Sequence, residues 1–249
     1  MRNGTQSVIQ MRGVTIMELL VATAVGSVVI GSVLALYLNV LESAAFLNST
    51  SRVQESGRFA TAHISRTMRM AGYDDDQTTG AAAIVPALEG TTSSDNSLSM
   101  SPFTLKANTD AIKISHEGAP QVRDCQGVEI ATDAWVTNTY AISSNNELIC
   151  SNGTTTGIIA EGIEDMVLQY GIDNDADGVA NRYVSENNVA DWEDVVSAKV
   201  FLLVNSVETV FAATKRGSNV YDCKSCDTFN PTASNLLHGE FHSTVQFRN

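Results

Sequence analysis

Basic residues are scarce in this chain. It sets 15 Lys and Arg against 28 Asp and Glu, a formal net charge of −13 over 249 residues. That balance lacks the positive surface that phosphate backbones require, which excludes nucleic acid as a partner. It suits a soluble surface outside the cytoplasm, or one that takes up cations. Catalytic signatures are missing too: there is no G-x-S-x-G, no Walker A and no H-E-x-x-H. His63 falls on a helical stretch and His116 in a loop, neither with a motif neighbour. The expectation is a protein that is not an enzyme. No internal repeat is present, and proline is limited to four residues.

Charge of either sign is absent from Leu19 to Leu41. As a helix that run measures about 34 Å at ~1.5 Å per residue, enough to cross a hydrocarbon core of roughly 30 Å. A secretory signal has a shorter apolar region, of about 7–15 residues, and does not open on a carboxylate such as Glu18. Arg2 and Arg12 precede the span and hold its N-terminal side in the cytoplasm. The remainder, roughly 175–200 residues, suffices for one domain with a substantial core. Residues 1–13 carry Arg2 and Arg12 and no acid. Without them the balance is 13 basic against 28 acidic residues, or −15.

Helical character continues past the membrane. Residues 39–73 contain no proline and only Gly57 and Gly72. Val53, Ala60, Ile64, Met68 and Ala71 recur at spacings of 7, 4, 4 and 3, one stripe of a helix. Arg52, Glu55, Arg58, Arg66 and Arg69 fall on the other face. Gly72 is the natural C-cap. A helix over 14–71 would be about 87 Å long. Ala22, Gly26, Ser27, Gly31 and Ala35 permit close helix approach in its apolar half.

Residues 74–110, rich in Ser, Thr, Gly and Asp, read as a long surface connection with a few short strands. Strands are expected over 111–115, 135–143, 147–150, 163–172, 195–205, 207–212 and 243–247, with Asn145-Asn146 as a hairpin turn and 191–194 as a short turn or helix. The expected class is α+β, one long N-terminal helix packed on an antiparallel β-sheet.

Four cysteines, an even count outside the cytoplasm, favour disulfides. Their order suggests Cys125 with Cys150 and Cys223 with Cys226, but three connectivities remain open. Cys223-x-x-Cys226 followed by His238-x-x-x-His242 also has a zinc-like spacing, although Pro231 and Gly239 interrupt the helix that such a site would use. A thioredoxin-like role lacks its βαβ context.

Asp173-Asn174-Asp175-Ala176-Asp177-Gly178 sets carboxylates at alternate positions in a tight loop. Three like charges so close repel unless a hard cation sits between them, and calcium accepts such oxygen-rich arrangements. An EF-hand would place Glu at the twelfth position, here Val184, so that match fails. Asn181 or Glu186 could complete a different loop. A calcium site formed by Asp173, Asp175, Asp177 and Asn181, and a solvated acidic turn, are the two readings.

The stretch Arg12-Gly13-Val14-Thr15-Ile16-Met17-Glu18 resembles the processing site of type IV prepilins. The resemblance implies a leader over 1–13, cleavage after Gly13 by prepilin peptidase, N-methylation of Val14 (a position where the family usually has Phe), and Glu18 as the residue that guides subunit assembly. Arg52-Val53-Gln54-Glu55-Ser56-Gly57-Arg58-Phe59 and Met68-Arg69-Met70-Ala71-Gly72-Tyr73 are similar to helix blocks of PilW-type minor pilins. So are the Asp loop with its Arg182-Tyr183-Val184 and the closing strand from Phe241 to Arg248-Asn249. Pseudopilins of type II secretion, above all the J component, share the plan but match these blocks less well.

The resemblance implies a type IV pilin fold. Residues 14–41 would form the membrane and filament-core half of the helix, 42–73 its amphipathic half, and 74–249 a β-rich domain. It implies a minor pilin acting in pilus assembly and priming, with other minor and major pilins, the inner membrane and a tip adhesin as partners. The precursor would lie in the inner membrane with its domain in the periplasm, and the mature protein in the filament at the cell surface. A membrane-anchored, calcium-dependent adhesin is a third class.

Overall fold

The computed structural model describes residues 15–73, 88–92, 98–209 and 236–247. Gly13, Val14, Cys223, Cys226, residues 210–212 and Arg248-Asn249 lie outside the described residues. The chain divides into two compact units, Met1–Ala45 and Phe46–Asn249. One helix, α1 (Ile16–Met68), contributes to both.

In the second unit the predicted stripe is the buried one. Val53, Ala60, Ile64, Met68 and, just beyond α1, Ala71 are all shielded from solvent, whereas Arg52, Glu55, Arg58, Arg66 and Arg69 face it. Full burial of side chains such as Ile64 and Met68 contributes about 1.5–3 kcal/mol each. Past the helix Gly72 takes a φ of +71°, a left-handed conformation that glycine reaches without a Cβ penalty. Its N–H then donates to the Ser115 carbonyl at 2.9 Å, which ties the helix end to the first sheet.

Two antiparallel sheets take the place of the single one expected. The first has the order β1 (Leu88–Thr92), β2 (Asp110–Glu117), β3 (Trp135–Ile142), β4 (Glu147–Ser151), β5 (Thr156–Glu161). In the second, β6 (Ile163–Ile172) lies between β7 (Arg182–Val184) and β8 (Val195–Asn205), and β9 (His238–Gln246) closes the edge beyond β8. A 3-10 helix, Glu186–Asn188, comes after β7. The alternation of strand residues sorts the core. Ile112, Ile114, Tyr140, Ile142, Leu148 and Cys150 join the helix stripe and the inner residues of β6 and β8 in one cluster. Their alternates Ala111, Ala141 and Ile149 meet Met100 in a smaller cluster, with Leu98, Phe103 and Leu105 against it. Segment 98–109 thus covers the far face of the first sheet, which is why β2, β3 and β4 are buried on both sides.

A disulfide joins Cys125 to Cys150 with the Cα atoms 6.4 Å apart. Asp124 organises the loop around it. Its Oδ1 accepts the N–H groups of Gln126 and Val128, both at 2.9 Å, and its Oδ2 accepts from Asn152 at 2.7 Å. The Cys125 N–H donates to Asn138 Oδ1 at 3.1 Å. His116 lies on β2 rather than in a loop, with Nε2 3.0 Å from the Asn138 amide. Burial holds the pKa values of His116 and of His63, which sits beside the Tyr140 ring, below the ordinary histidine value.

The expected strand over 207–212 does not begin at Val207. Asn205 Oδ1 accepts the Val207 N–H at 3.1 Å, and Ser206 exchanges hydrogen bonds with Leu237. This side-chain-driven turn ends β8 and puts Val207 at a φ of +43°. His238 and His242 stand on β9, not on a helix, which removes the helical face on which the zinc spacing depended. His238 bonds Glu164 and His242 packs near the Phe201 ring.

The backbone of Gly57 passes under the ring of Phe241 on β9, where a Cβ would overlap the ring. Gly57→Val is expected to destabilise the chain by about 1–3 kcal/mol through overpacking. Phe241→Ala in the same chain should recover part of that loss in a double-mutant cycle of thermal unfolding. Strictly additive effects would show that Gly57 does not serve Phe241.

Candidate assembly helix and acidic loop

The described part of α1 opens on a cap. Thr15 Oγ1 accepts the Glu18 N–H at 3.3 Å, and its carbonyl accepts those of Glu18 and Leu19, both at 3.1 Å. Thr15 and Glu18 therefore occupy the N-cap and N3 positions of an S/T-x-x-E pattern. That capping signature lies in the sequence inside the stretch that resembles a processing site. A carboxylate in the first turn also meets the positive end of the helix dipole.

Beyond Glu18 the helix has no core to lie on. Every described residue from 16 to 41 is exposed except Gly26, which is partly so. Ile16 is 80% exposed and Val28 69%. The few hydroxyls in this stretch turn back onto their own helix: Thr23 donates to the Leu20 carbonyl at 3.0 Å, Ser27 to Ala24 at 2.8 Å and Ser32 to Val28 at 2.8 Å. With these three hydroxyls bonded within the helix and no charge from Leu19 to Leu41, α1 is long and apolar enough to cross a membrane.

Asp173, Asp175 and Asp177 converge at the far end of β6, offering ligand oxygens all within 4.8 Å of one another. The loop is closed at its base by two backbone bonds, Asp173 N–H to Asp194 O at 2.9 Å and Asn181 N–H to Ile172 O at 2.8 Å. Asp173 is buried and points inward. Its two oxygens accept the N–H groups of Asp175 at 3.1 Å and Gly178 at 2.7 Å. Burial pushes its pKa up, but these N–H bonds outweigh that and hold the carboxyl below its ordinary value. Asn181 turns both ends of its amide to the loop, accepting from Asn174 N–H at 2.7 Å and donating to Asp175 Oδ1 at 3.3 Å. Gln246 on β9 donates to the Gly178 carbonyl at 3.1 Å. Each carboxylate oxygen has a second lone pair. The donor set is all oxygen and carries three negative charges, so its chemistry fits a hard cation such as calcium.

A polar junction forms where the two sheets meet, and no motif in the sequence marks it. Lys106 Nζ donates to Asn146 Oδ1 at 2.8 Å and to the Glu164 carbonyl at 2.7 Å. The buried Glu164 carboxylate meets His238 Nε2 at 2.9 Å and the Asn205 amide at 3.4 Å. Next to it Asp165 is raised to about 6, chiefly by burial and secondarily by the charge of Glu164; the Met166 N–H and the Lys106 ammonium oppose the shift.

In sequence order, a charge-free helical segment with a carboxylate at its start precedes an α+β domain. Residues 135–249, a little under half of the chain, match the family described as Type IV Pilus-assembly protein W, PilW. The match takes in the Asp loop and the closing strand; the helix blocks at 52–59 and 68–73 lie outside it. Among solved structures, the type IV-like pilin TTHA1219 from Thermus thermophilus aligns over 79% of this chain and 97% of its own, at 12% identity and a TM-score of 0.44. No curated protein matches the sequence significantly.

The raised Asp165 gives a pH prediction. Ionising it costs more in the folded chain than in the unfolded one. Its favourable contribution is thus complete below 3.8 and lost as pH rises through about 6. Asp165→Asn should raise the unfolding midpoint relative to the parent at pH 7 and give no difference near pH 4. An equal effect at both values would contradict this assignment.

Proposed function

We propose that this protein is a minor pilin of a type IV pilus, acting in filament assembly and priming within a tip-associated complex of minor pilins. The observation that carries the reading is the exposed, uncharged half of α1, opened by Glu18, on a chain whose residues 135–249 match the PilW family. Before assembly that half rests in the inner membrane with the domain on the periplasmic side. Prepilin peptidase cuts after Gly13 and Val14 becomes the methylated N-terminus.

Glu18 then pairs with the N-terminal amine of a neighbouring subunit. A carboxylate surrounded by apolar side chains is stabilised only by such a partner, so the pair fixes the register of one helix against the next. The apolar halves bundle into the filament core, and the two-sheet domains face outward toward other minor and major pilins and a tip adhesin. The Asp173–Asp177 loop is the cation-binding element of this domain, with Asp173, Asp175, Asp177 and Asn181 holding calcium, which would neutralise their mutual repulsion.

A clean deletion in the host, scored for sheared pili and exoprotein secretion together, tests the reading. Loss of pili with secretion intact is expected; retained pili with exoproteins trapped in the periplasm would make this a pseudopilin of type II secretion. Glu18→Ala should leave the protein in the membrane and absent from sheared filaments, and normal incorporation would remove the pairing role. Isothermal titration of the purified chain with calcium should show one site, weakened about tenfold or more by Asp175→Ala. Absence of heat at millimolar calcium would sink the calcium assignment.

A further inference from the structure

Residues 98–209 carry 17 Asp and Glu against five Lys and Arg, whereas 52–69 carry four Arg and one Glu. The helix in the second unit is therefore a basic strip on an acidic protein. Its charge also lies on one side. Arg58, Arg66 and Arg69 are exposed on the face opposite Val53, Ile64 and Met68, with Ala62 exposed among them.

Arg52, on the same face, has Glu208 at 3.3 Å. Arg58, Arg66 and Arg69 form no ion pair with any described residue. Phe59 lies in this face and is 53% exposed, although it is a large aromatic on a helix with a well-filled core side. It lines one wall of a groove of about 440 Å³, shared with Arg52, Ile159 and Val207.

Guanidinium groups with no ion pair among the described residues, on the same face as an exposed aromatic, have the make-up of a protein-binding surface, in which Arg and aromatic residues are enriched and supply most of the binding energy. Long-range repulsion between acidic domains opposes their close packing, so a strip of opposite sign also selects which faces meet.

We infer that the exposed face of α1 carrying Arg58, Phe59, Arg66 and Arg69 is the docking surface for a carboxylate-rich face of a neighbouring pilin subunit. The inference rests on the filament reading and adds to it a defined face and a partner of defined chemistry. Arg58, Arg66 and Arg69 form charge-assisted hydrogen bonds with carboxylates of the neighbour, and Phe59 is covered by apolar atoms between them.

The test uses the full-length chain in its host. A photoreactive benzoylphenylalanine is placed at Ala62 in the stripe and, in a separate strain, at Val28 in the apolar half of α1. The expected result is an Ala62 adduct with another pilin, the crosslinked peptide being rich in Asp and Glu. That adduct should be lost in R58E/R66E/R69E and in R58Q/R66Q/R69Q, and retained in R58K/R66K/R69K. The second, charge-neutral variant guards against misfolding of the first, and unchanged unfolding midpoints exclude loss of fold.

An Ala62 adduct that persists unchanged in both charge-removing variants would overturn the proposal. So would adducts with phospholipid alone, or no Ala62 adduct while Val28 still crosslinks to neighbouring pilins; these leave the filament reading standing. Failure of both positions to reach any pilin would remove the filament reading and this inference with it.

Discussion

Among the described residues, nothing shields the first half of α1 from water. Burial of apolar surface stabilises by roughly 25 cal/mol per Å², so a helix segment exposed all round cannot persist in aqueous solution by itself. Its surroundings must be supplied, by lipid or by other helices of the same character. The rest of the chain is consistent with that need. The hydroxyls of Thr23, Ser27 and Ser32 bond to their own helix at Leu20, Ala24 and Val28. Glu18 stands in the first turn, with Thr15 capping, and not midway along the apolar surface.

In the second unit the same helix obeys a different rule. From Val53 onward its apolar residues narrow to one stripe, and that stripe is the ridge over which both sheets close. The close approach of β9 at Gly57 and the anchoring of Gly72 to Ser115 fix the two ends of the contact. The sheets in turn place the acidic loop. Asp173 directly succeeds the last residue of β6, its backbone bonds to Asp194 before β8, and Gln246 at the end of β9 reaches Gly178. Three strands of the second sheet therefore bear on one loop, which explains how three carboxylates are kept within 4.8 Å despite their repulsion.

Burial decides which elements were legible in the sequence and which were not. β6 and β8 have the bounds expected of them because both are long, dense in Val, Leu and Ile, and central in their sheet. The helix stripe was legible because a period of 3.6 held over five positions. β5 and β7 were missed, and β1 is one of the short strands expected without bounds in 74–110. Leu88–Thr92 is a short edge strand of turn-forming residues, Thr156–Glu161 is an edge strand entered through Thr-Gly, and Arg182–Val184 has three residues. Neither propensity nor alternation has room to register in such segments; pairing with a neighbour makes them strands. The turn at Asn205-Ser206 was read through because Val207 has strong β propensity, yet two side-chain hydrogen bonds outweigh it. The Lys106–Glu164–His238 junction joins residues up to 132 positions apart, so no local pattern could announce it.

The carboxylates of this chain illustrate why identical side chains take different roles. Asp124 and Asp173 receive backbone N–H groups and serve as loop organisers. Asp165, with only the Met166 N–H bonded to it, is pushed by partial burial toward its neutral form. Glu164 is held in the interior by an imidazole and an amide. The acids that remain on the surface are what give the domain its net charge, and they have few basic partners among the described residues. An acidic domain of this kind resists close packing against its own type. The arginine face of α1 and the acidic loop are two places where charge of opposite sign is concentrated in this chain.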